Sequence, residues 1–336
     1  MKIFGAAAEG VRRRSAWSWI FAAVLAAVLL WWSLRGVEWR QVGAIIGRAR
    51  WIFLAASAAA TCCSLFLRGL RWRILLNAAG RFPVSTVFWA NNAGYLGNNF
   101  LPARAGELIR SFLISSRSSL SRTYVLTTAL SERLMDVVAL VLWSSLLLLG
   151  VHPKPDWMQK LSRTMAIVAA AGAAAITVLP HTGQLLETVL GRLPLPARLR
   201  EPAIGLCRQV LSGMRAFHDW RRFAGFGGLT VVVWISDTLG VMALGRALGL
   251  DLPFTTAFLL LTAIGIGSAL PSTPGYVGIY QFVAVSVLIP FGFSHDSAIA
   301  LILVLQAIGY TVILTFGLIA VRKLRSVPRA REVAQA

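Results

Sequence analysis

The residues able to do polar chemistry fall in three ordered groups of an otherwise strongly apolar chain. The first, Asn91–Glu107, reads NNAGYLGNNFLPARAGE and sets four Asn, an Arg, a Glu, a Pro and three Gly between apolar segments, with Arg110 three positions beyond Glu107. The second is Ser131-Glu132-Arg133 with Asp136, and the third is Leu270-Pro271-Ser272-Thr273-Pro274-Gly275. An Arg guanidinium binds phosphate or carboxylate through two parallel hydrogen bonds. A helix that begins inside a membrane adds free backbone N–H groups and the positive end of its dipole. The chemistry on offer is recognition of an oxyanion. Acid or base catalysis by Glu107, Glu132 or Asp136 would need a second catalytic group. His152, His181, His218 and His295 are scattered, and Cys62, Cys63 and Cys207 form neither a disulfide framework nor a metal spacing. No P-loop motif is present, which leaves ATP no direct role.

The candidate headgroup-binding residues are Asn98, Asn99, Arg104, Glu107 and Arg110, followed by Pro271, Ser272, Thr273 and Gly275; Pro102, Gly106 and Pro274 shape the two tips. A plainer reading pairs Arg104 with Glu107 and gives the Asn cluster (Asn91, Asn92, Asn98, Asn99) to capping unwound backbone. Glu132, Arg133, Asp136 and the mid-span Asp237 either couple transport to a proton or ion, or act as structural support for the Arg residues. For Glu132 and Asp136 support is the preferred reading. Gln281 and Gln306 read as helix-to-helix hydrogen bonds.

The elements that position these groups are membrane elements. The 336 residues are 57% hydrophobic and 14% charged, with a mean hydropathy of +0.70, values that point to an all-α polytopic membrane protein in one transmembrane domain, 1–336. Lys plus Arg number 33 against 13 Asp plus Glu, a net +20 concentrated between apolar runs, which fits the positive-inside rule and not nucleic-acid binding. Apolar runs at 16–34, 51–67, 124–150, 164–180, 223–248 and 298–321 predict six simple spans, with a surface helix over 37–50. Segments 84–101 and 105–116 are too polar to cross singly and predict a re-entrant hairpin; 254–270 and 276–291 predict a second. The loop 181–222 spaces Cys207, Val210, Leu211, Met214 and Phe217 as an amphipathic cytoplasmic helix, and 322–336 is a basic tail.

Placing the basic loops inside makes the units 51–150 and 223–321 inverted with respect to each other. Each carries its Leu-Pro-x-x-x-Gly tip about fifty residues from its start, at Pro102–Gly106 and Pro271–Gly275. Paired, Pro/Gly-interrupted segments in inverted halves point to a transporter's substrate site.

NNFLPARAGELIR (98–110), SERLMD (131–136) and LPSTPGYVG (270–278), in this order, resemble the flippase-like transmembrane domain of the lysylphosphatidylglycerol synthase family over nearly the whole chain. The resemblance implies movement of a lipid between leaflets. It carries over Asn99, Pro102, Arg104, Gly106, Glu107, Arg110, Glu132, Arg133, Asp136, Pro271, Pro274 and Gly275. The separate soluble synthase domain of bifunctional members has no counterpart expected in these residues, so lysyl transfer is not carried over.

The resulting expectation is a non-enzymatic, cofactor-free and metal-free translocase of an anionic or zwitterionic phospholipid or glycolipid, working through a polar cavity between the hairpins. It would be multi-pass in the cytoplasmic membrane with both termini inside. The alternative is a membrane scaffold for an envelope biosynthesis enzyme. Which lipid, which direction, which energy source and which oligomeric state are left open.

Overall fold

Long apolar segments without a breaker become long helices. In the computed structural model, which describes residues 23–101, 105–149, 219–268 and 274–325 and some positions between 163 and 174, the described residues are helical or in short connections. In chain order the helices are α1 (Ala23–Leu34), α2 (Trp39–Gly47), α3 (Trp51–Leu76), α4 (Val84–Phe100), α5 (Gly106–Ser115), α6 (Arg122–Leu149), α7 (Trp220–Ala247), α8 (Phe254–Gly267), α9 (Ile279–Leu288) and α10 (His295–Arg325). The spans Trp51–Leu76, Trp220–Ala247 and His295–Leu324 are long and apolar enough to cross a membrane. At ~1.5 Å per residue each exceeds the ~30 Å hydrocarbon core. Only 22% of the most apolar window of α3 is buried, so most of its apolar surface faces outward, as lipid requires and water would penalise.

Several boundaries differ from those read in sequence. α3 continues nine residues past Leu67, because nothing between Arg68 and Leu76 breaks a helix, and so Arg68 and Arg71 lie on a helix rather than in a flanking loop. α7 takes Trp220, Arg221 and Arg222 from the expected surface loop, and α10 runs on through Arg322 and Lys323. The rest of the expected 181–222 helix, most of the expected return span 164–180, the N-terminal arm and the last residues of the tail lie outside the described residues.

The chain divides into two units. One comprises the described residues within Met1–Ala59, Asn98–Arg104 and Thr238–Thr311. Its core joins Val241, Leu244 and Leu248 of α7, Leu260 and Ile264 of α8, Val285 and Leu288 of α9 and Ile299–Ile302 of α10. The end of α7 is closed by the left-handed Gly249 (φ 74°) and by Leu250 N–H donating to Gly245 O at 2.8 Å, which satisfies an end-of-helix carbonyl. α1 is tied to the start of α10 by His295 Nε2 at 2.7 Å from Ser33 O, and Trp32 packs on Phe282 with ring centres 5.3 Å apart.

The other unit comprises those within Ala60–Gly97, Ala105–Asp237 and Val312–Ala336. Trp72, Leu75, Val87, Ile114, Val125 and Phe226 form its main apolar core. α4 and α5 approach at backbone distance: a Cβ on Gly97 would sit 2.9 Å from Gly106 Cα, and one on Gly94 would sit 3.0 Å from Gly106 O. Side chains at these positions would force the two helices apart, and that approach places the polar face of α5 against Asn91.

Candidate functional site

Charged side chains from four helices meet in the second unit. Arg68 and Arg71, three apart on α3, share a face, as do Glu132 and Asp136, four apart on α6, and Glu107 and Arg110 on α5. Arg71 is fully buried. It donates to Asp136 through two bonds, Nη1 to Oδ1 at 2.5 Å and Nη2 to Oδ2 at 2.8 Å, and Nη2 also reaches Glu132 Oε1 at 2.9 Å. A third partner is Thr230 Oγ1 of α7 at 3.3 Å. Arg110 takes the other oxygen of Glu132, Nη1 to Oε2 at 2.9 Å, while its Nε donates to Glu107 Oε2 at 2.6 Å and Nη1 to Asn91 Oδ1 at 2.8 Å. Glu132 therefore bridges α3 to α5. Arg133 donates to the remaining Glu107 oxygen at 3.0 Å, and Arg68 donates to Asp237 Oδ2 of α7 at 2.6 Å.

Four Arg and four acids sum to zero charge, the condition under which ions can be kept in a low-dielectric interior. Each guanidinium also faces an aromatic ring: Arg68 over Trp234, Arg71 over Phe226, Arg110 over Trp72 and Arg133 over Tyr95, at 4.5–5.6 Å. Weakly hydrated guanidinium planes tolerate such surroundings where ammonium groups would not. Polar capacity remains at the edge of the cluster. Asn91 and Asn92 on α4 are almost fully buried, yet Asn91 Nδ2 and Asn92 Oδ1 find no hydrogen-bond partner among the described residues. Asn92 Nδ2 donates back to Phe88 O at 2.8 Å.

In the first unit the turn after α8 makes a different arrangement. Pro274–Tyr276 is a single 3-10 turn with Gly275 and Tyr276 both at positive φ, and α9 begins at Ile279, after the left-handed Gly278. The segment expected to begin at 276 thus becomes α-helical only at Ile279. Gly275 is needed for close approach, but to protein: a Cβ there would lie 2.6 Å from the Tyr310 hydroxyl. Its carbonyl accepts from Tyr310 and from Gln306 Nε2 (3.1 Å); Gln306 Oε1 accepts from Gln281 Nε2 (2.6 Å), and Gln281 Oε1 accepts from Gly278 N–H (2.8 Å). Gln281 and Gln306 are the helix-to-helix bond read in the sequence, and together they hold the irregular turn.

Of the sequence-predicted site residues, Glu107, Arg110, Glu132, Arg133, Asp136 and Asp237 come together in the second unit. Gly106 opens α5 beneath Gly97. Asn98 and Asn99 occupy the last turn of α4, and Pro274 and Gly275 lie in the 3-10 turn of the first unit. Pro102, Arg104, Pro271, Ser272 and Thr273 lie outside the described residues. Glu107 pairs with Arg110 and Arg133, whereas the Arg104–Glu107 pair read in the sequence falls outside the described residues. Sequence reading missed Arg68 and Arg71 as members of the cluster; the clue was a pair of Arg three apart with no matching acids nearby, against a pair of acids four apart on α6.

Comparison with known proteins agrees with this architecture. The family model of the lysylphosphatidylglycerol synthase TM region matches residues 19–317. A UPF0104 membrane protein of Methanothermobacter thermautotrophicus is 25% identical over 81% of this chain and 83% of its own length, and one of Pyrococcus horikoshii is 22% identical over 91% and 96%. The glycosyltransferase AglD of Haloferax volcanii is 23% identical over 72% of this chain, a match that spans 44% of AglD. No solved structure gives a significant match. With the ordered motifs, apolar helices and match over residues 19–317 in agreement, the chain belongs to the family of the lysylphosphatidylglycerol synthase transmembrane region.

Proposed function

We propose that this membrane protein is a lipid translocase that moves an anionic or zwitterionic phospholipid or glycolipid headgroup across the bilayer without chemical change. The carrying observation is the edge of the charge cluster, where the buried Asn91 Nδ2 donor and Asn92 Oδ1 acceptor lie beside a network that has neutralised itself. Buried polar groups without protein partners are costly unless water or a ligand completes them. A headgroup passing α4 would supply both an acceptor and a donor. In this reading Glu132, Arg133, Asp136 and Asp237 are structural support, since each pairs within the cluster, and Arg110 is held for Asn91 rather than offered to phosphate. Arg104, outside the described residues, is kept as the cation proposed to bind the headgroup. α4–α5 and α8–α9 are taken as re-entrant hairpins in inverted units 51–150 and 223–321, with both termini on the cytoplasmic side of the inner membrane. Replacing Asn92 by Ala removes one unfilled polar atom and one local bond, and should slow lipid redistribution in proteoliposomes without lowering thermal stability. Unchanged redistribution would remove the basis of the assignment.

A second reading has support from one relative. The match covers less than half of a protein named a glycosyltransferase, so the shared region there accompanies a large further part. On that reading this chain is a membrane scaffold for an envelope biosynthesis enzyme. It predicts that Arg104 and Asn92 variants are silent in transport while co-purification with such an enzyme persists.

A further inference from the structure

The 3-10 turn after α8 carries a residue whose backbone conformation does not suit it. Among the described residues Tyr276 is the one non-Gly residue at positive φ (59°), a region that strains any residue with a Cβ. The turn itself does not call for a tyrosine there. The bonds that hold it run to the Gly275 carbonyl and from the Gly278 N–H, and a Gly or an Asn at 276 would meet the same backbone with less strain. Strain of this kind persists where the surroundings fix a side chain in one place, and it gathers at ligand sites.

What the strain places is a flat aromatic face. The Tyr276 ring stacks on that of Tyr280, the second residue of α9, with centroids 5.1 Å apart and planes within 6°. Tyr280 in turn packs against the apolar core of the first unit, so the pair is backed on one side. Tyr276 is half-buried, and its hydroxyl makes no hydrogen bond to another described residue. Depth makes that hydroxyl costly. Tyr310, bonded to the neighbouring Gly275 carbonyl, lies midway along the 31 residues of α10, a helix long and apolar enough to cross a membrane. A hydroxyl at half depth needs water or a ligand to complete it. The charge of the surroundings narrows the ligand. The turn is held by Gln281, Gln306, Tyr310 and backbone groups, all neutral, with no cation among them for a phosphate and no carboxylate for an ammonium. An aromatic face bordered by neutral donors and acceptors fits a sugar ring, whose C–H faces are apolar and whose edges carry hydroxyls.

We infer that the Tyr276–Tyr280 pair is a stacking subsite for the sugar ring of a glycolipid headgroup, with the Tyr276 hydroxyl bonding the ring's edge. The inference deepens the proposed function by naming the headgroup class, and rests on that reading for how a headgroup reaches half depth.

The test uses the purified full chain in a detergent that carries no sugar, with the thermal unfolding midpoint titrated against monoglucosyldiacylglycerol, diacylglycerol and phosphatidylcholine. The glucolipid should stabilise saturably and diacylglycerol should not. Tyr276→Gly, which removes the ring and suits the backbone, should weaken the apparent affinity for the glucolipid about tenfold. Equal stabilisation by diacylglycerol, an affinity unchanged in Tyr276→Gly, or tighter and Tyr276-dependent binding of phosphatidylcholine, which would make the pair a cation site, overturns the inference. Should Tyr276→Gly fail to fold, Tyr276→Phe, which keeps the stack and removes the hydroxyl, decides: the affinity should fall about threefold, and an unchanged affinity overturns the inference. Because binding is read without movement, the two readings fail separately. Glucolipid bound but not redistributed removes the translocase alone, and phospholipid redistributed with no glucolipid bound removes the sugar subsite alone.

Discussion

The Arg68–Asp237 pair offers the sharpest test of whether the charge cluster holds the second unit together. The two residues are 169 positions apart and join α3 to α7 through a 2.6 Å bond, with side chains 13% and 17% exposed. Arg68→Met leaves Asp237 with no cation, and a buried charge stripped of its partner costs about 3–5 kcal/mol; partial exposure puts this one near about 3. Asp237→Leu should cost less, about 2 kcal/mol, because Arg68 Nη1 keeps Asp136 at 4.0 Å and its ring contact with Trp234. Removing both charges together leaves no ion behind, so the double variant should cost about 2 kcal/mol, roughly 3 less than the sum of the singles. Thermal unfolding in detergent, followed by size-exclusion chromatography after heating, reads this as midpoint drops near 6 °C and 4 °C for the singles at ~2 °C per kcal/mol. The double should drop by about 4 °C rather than 10 °C on the same scale. A double variant that falls by the sum of its parts would refute the pairing.

Other parts of the structure make separate predictions. Gln306→Leu removes a donor from Gly275 O and the acceptor of Gln281, and should lower stability by about 2 kcal/mol, measured by the same assay. Gly97→Ala drives a methyl group to within 3 Å of Gly106 and should cost about 1–3 kcal/mol, whereas Gly227→Ala, at a position with nothing within 4 Å, should cost nothing measurable. If the two units are inverted, Ser119→Cys in a cysteine-free background is labelled from the cytoplasmic side and Asp251→Cys from the opposite side. Labelling of both from one side contradicts the topology.

Much of the architecture was legible because apolar runs and breakers are local. Helices α4 and α5 begin and end within about two residues of the segments read as a polar hairpin, since Gly and Pro mark the break between them. Charge pairing was not legible, because it joins elements far apart in sequence: Arg68 reads as a positive flank until α6 and α7 are folded against α3. The helix start at Ile279 was missed for a related reason. Pro274-Gly275 is a good helix opening in isolation, but Gln306 and Tyr310, some thirty residues on, bind the Gly275 carbonyl and hold the turn open. Asp237 likewise finds its partner, Arg68, 169 positions away, where no local pattern in the sequence points.

The central claim is movement of a headgroup past α4, and leaflet redistribution of fluorescent phospholipids and glycolipids in proteoliposomes tests it most directly. The wild-type protein should accelerate redistribution of at least one of these lipids, and Asn92→Ala and Arg104→Ala should each abolish most of that acceleration while unfolding at the wild-type temperature. Redistribution no faster than in protein-free liposomes, with the protein folded, or equal rates in the wild type and both variants, would contradict it.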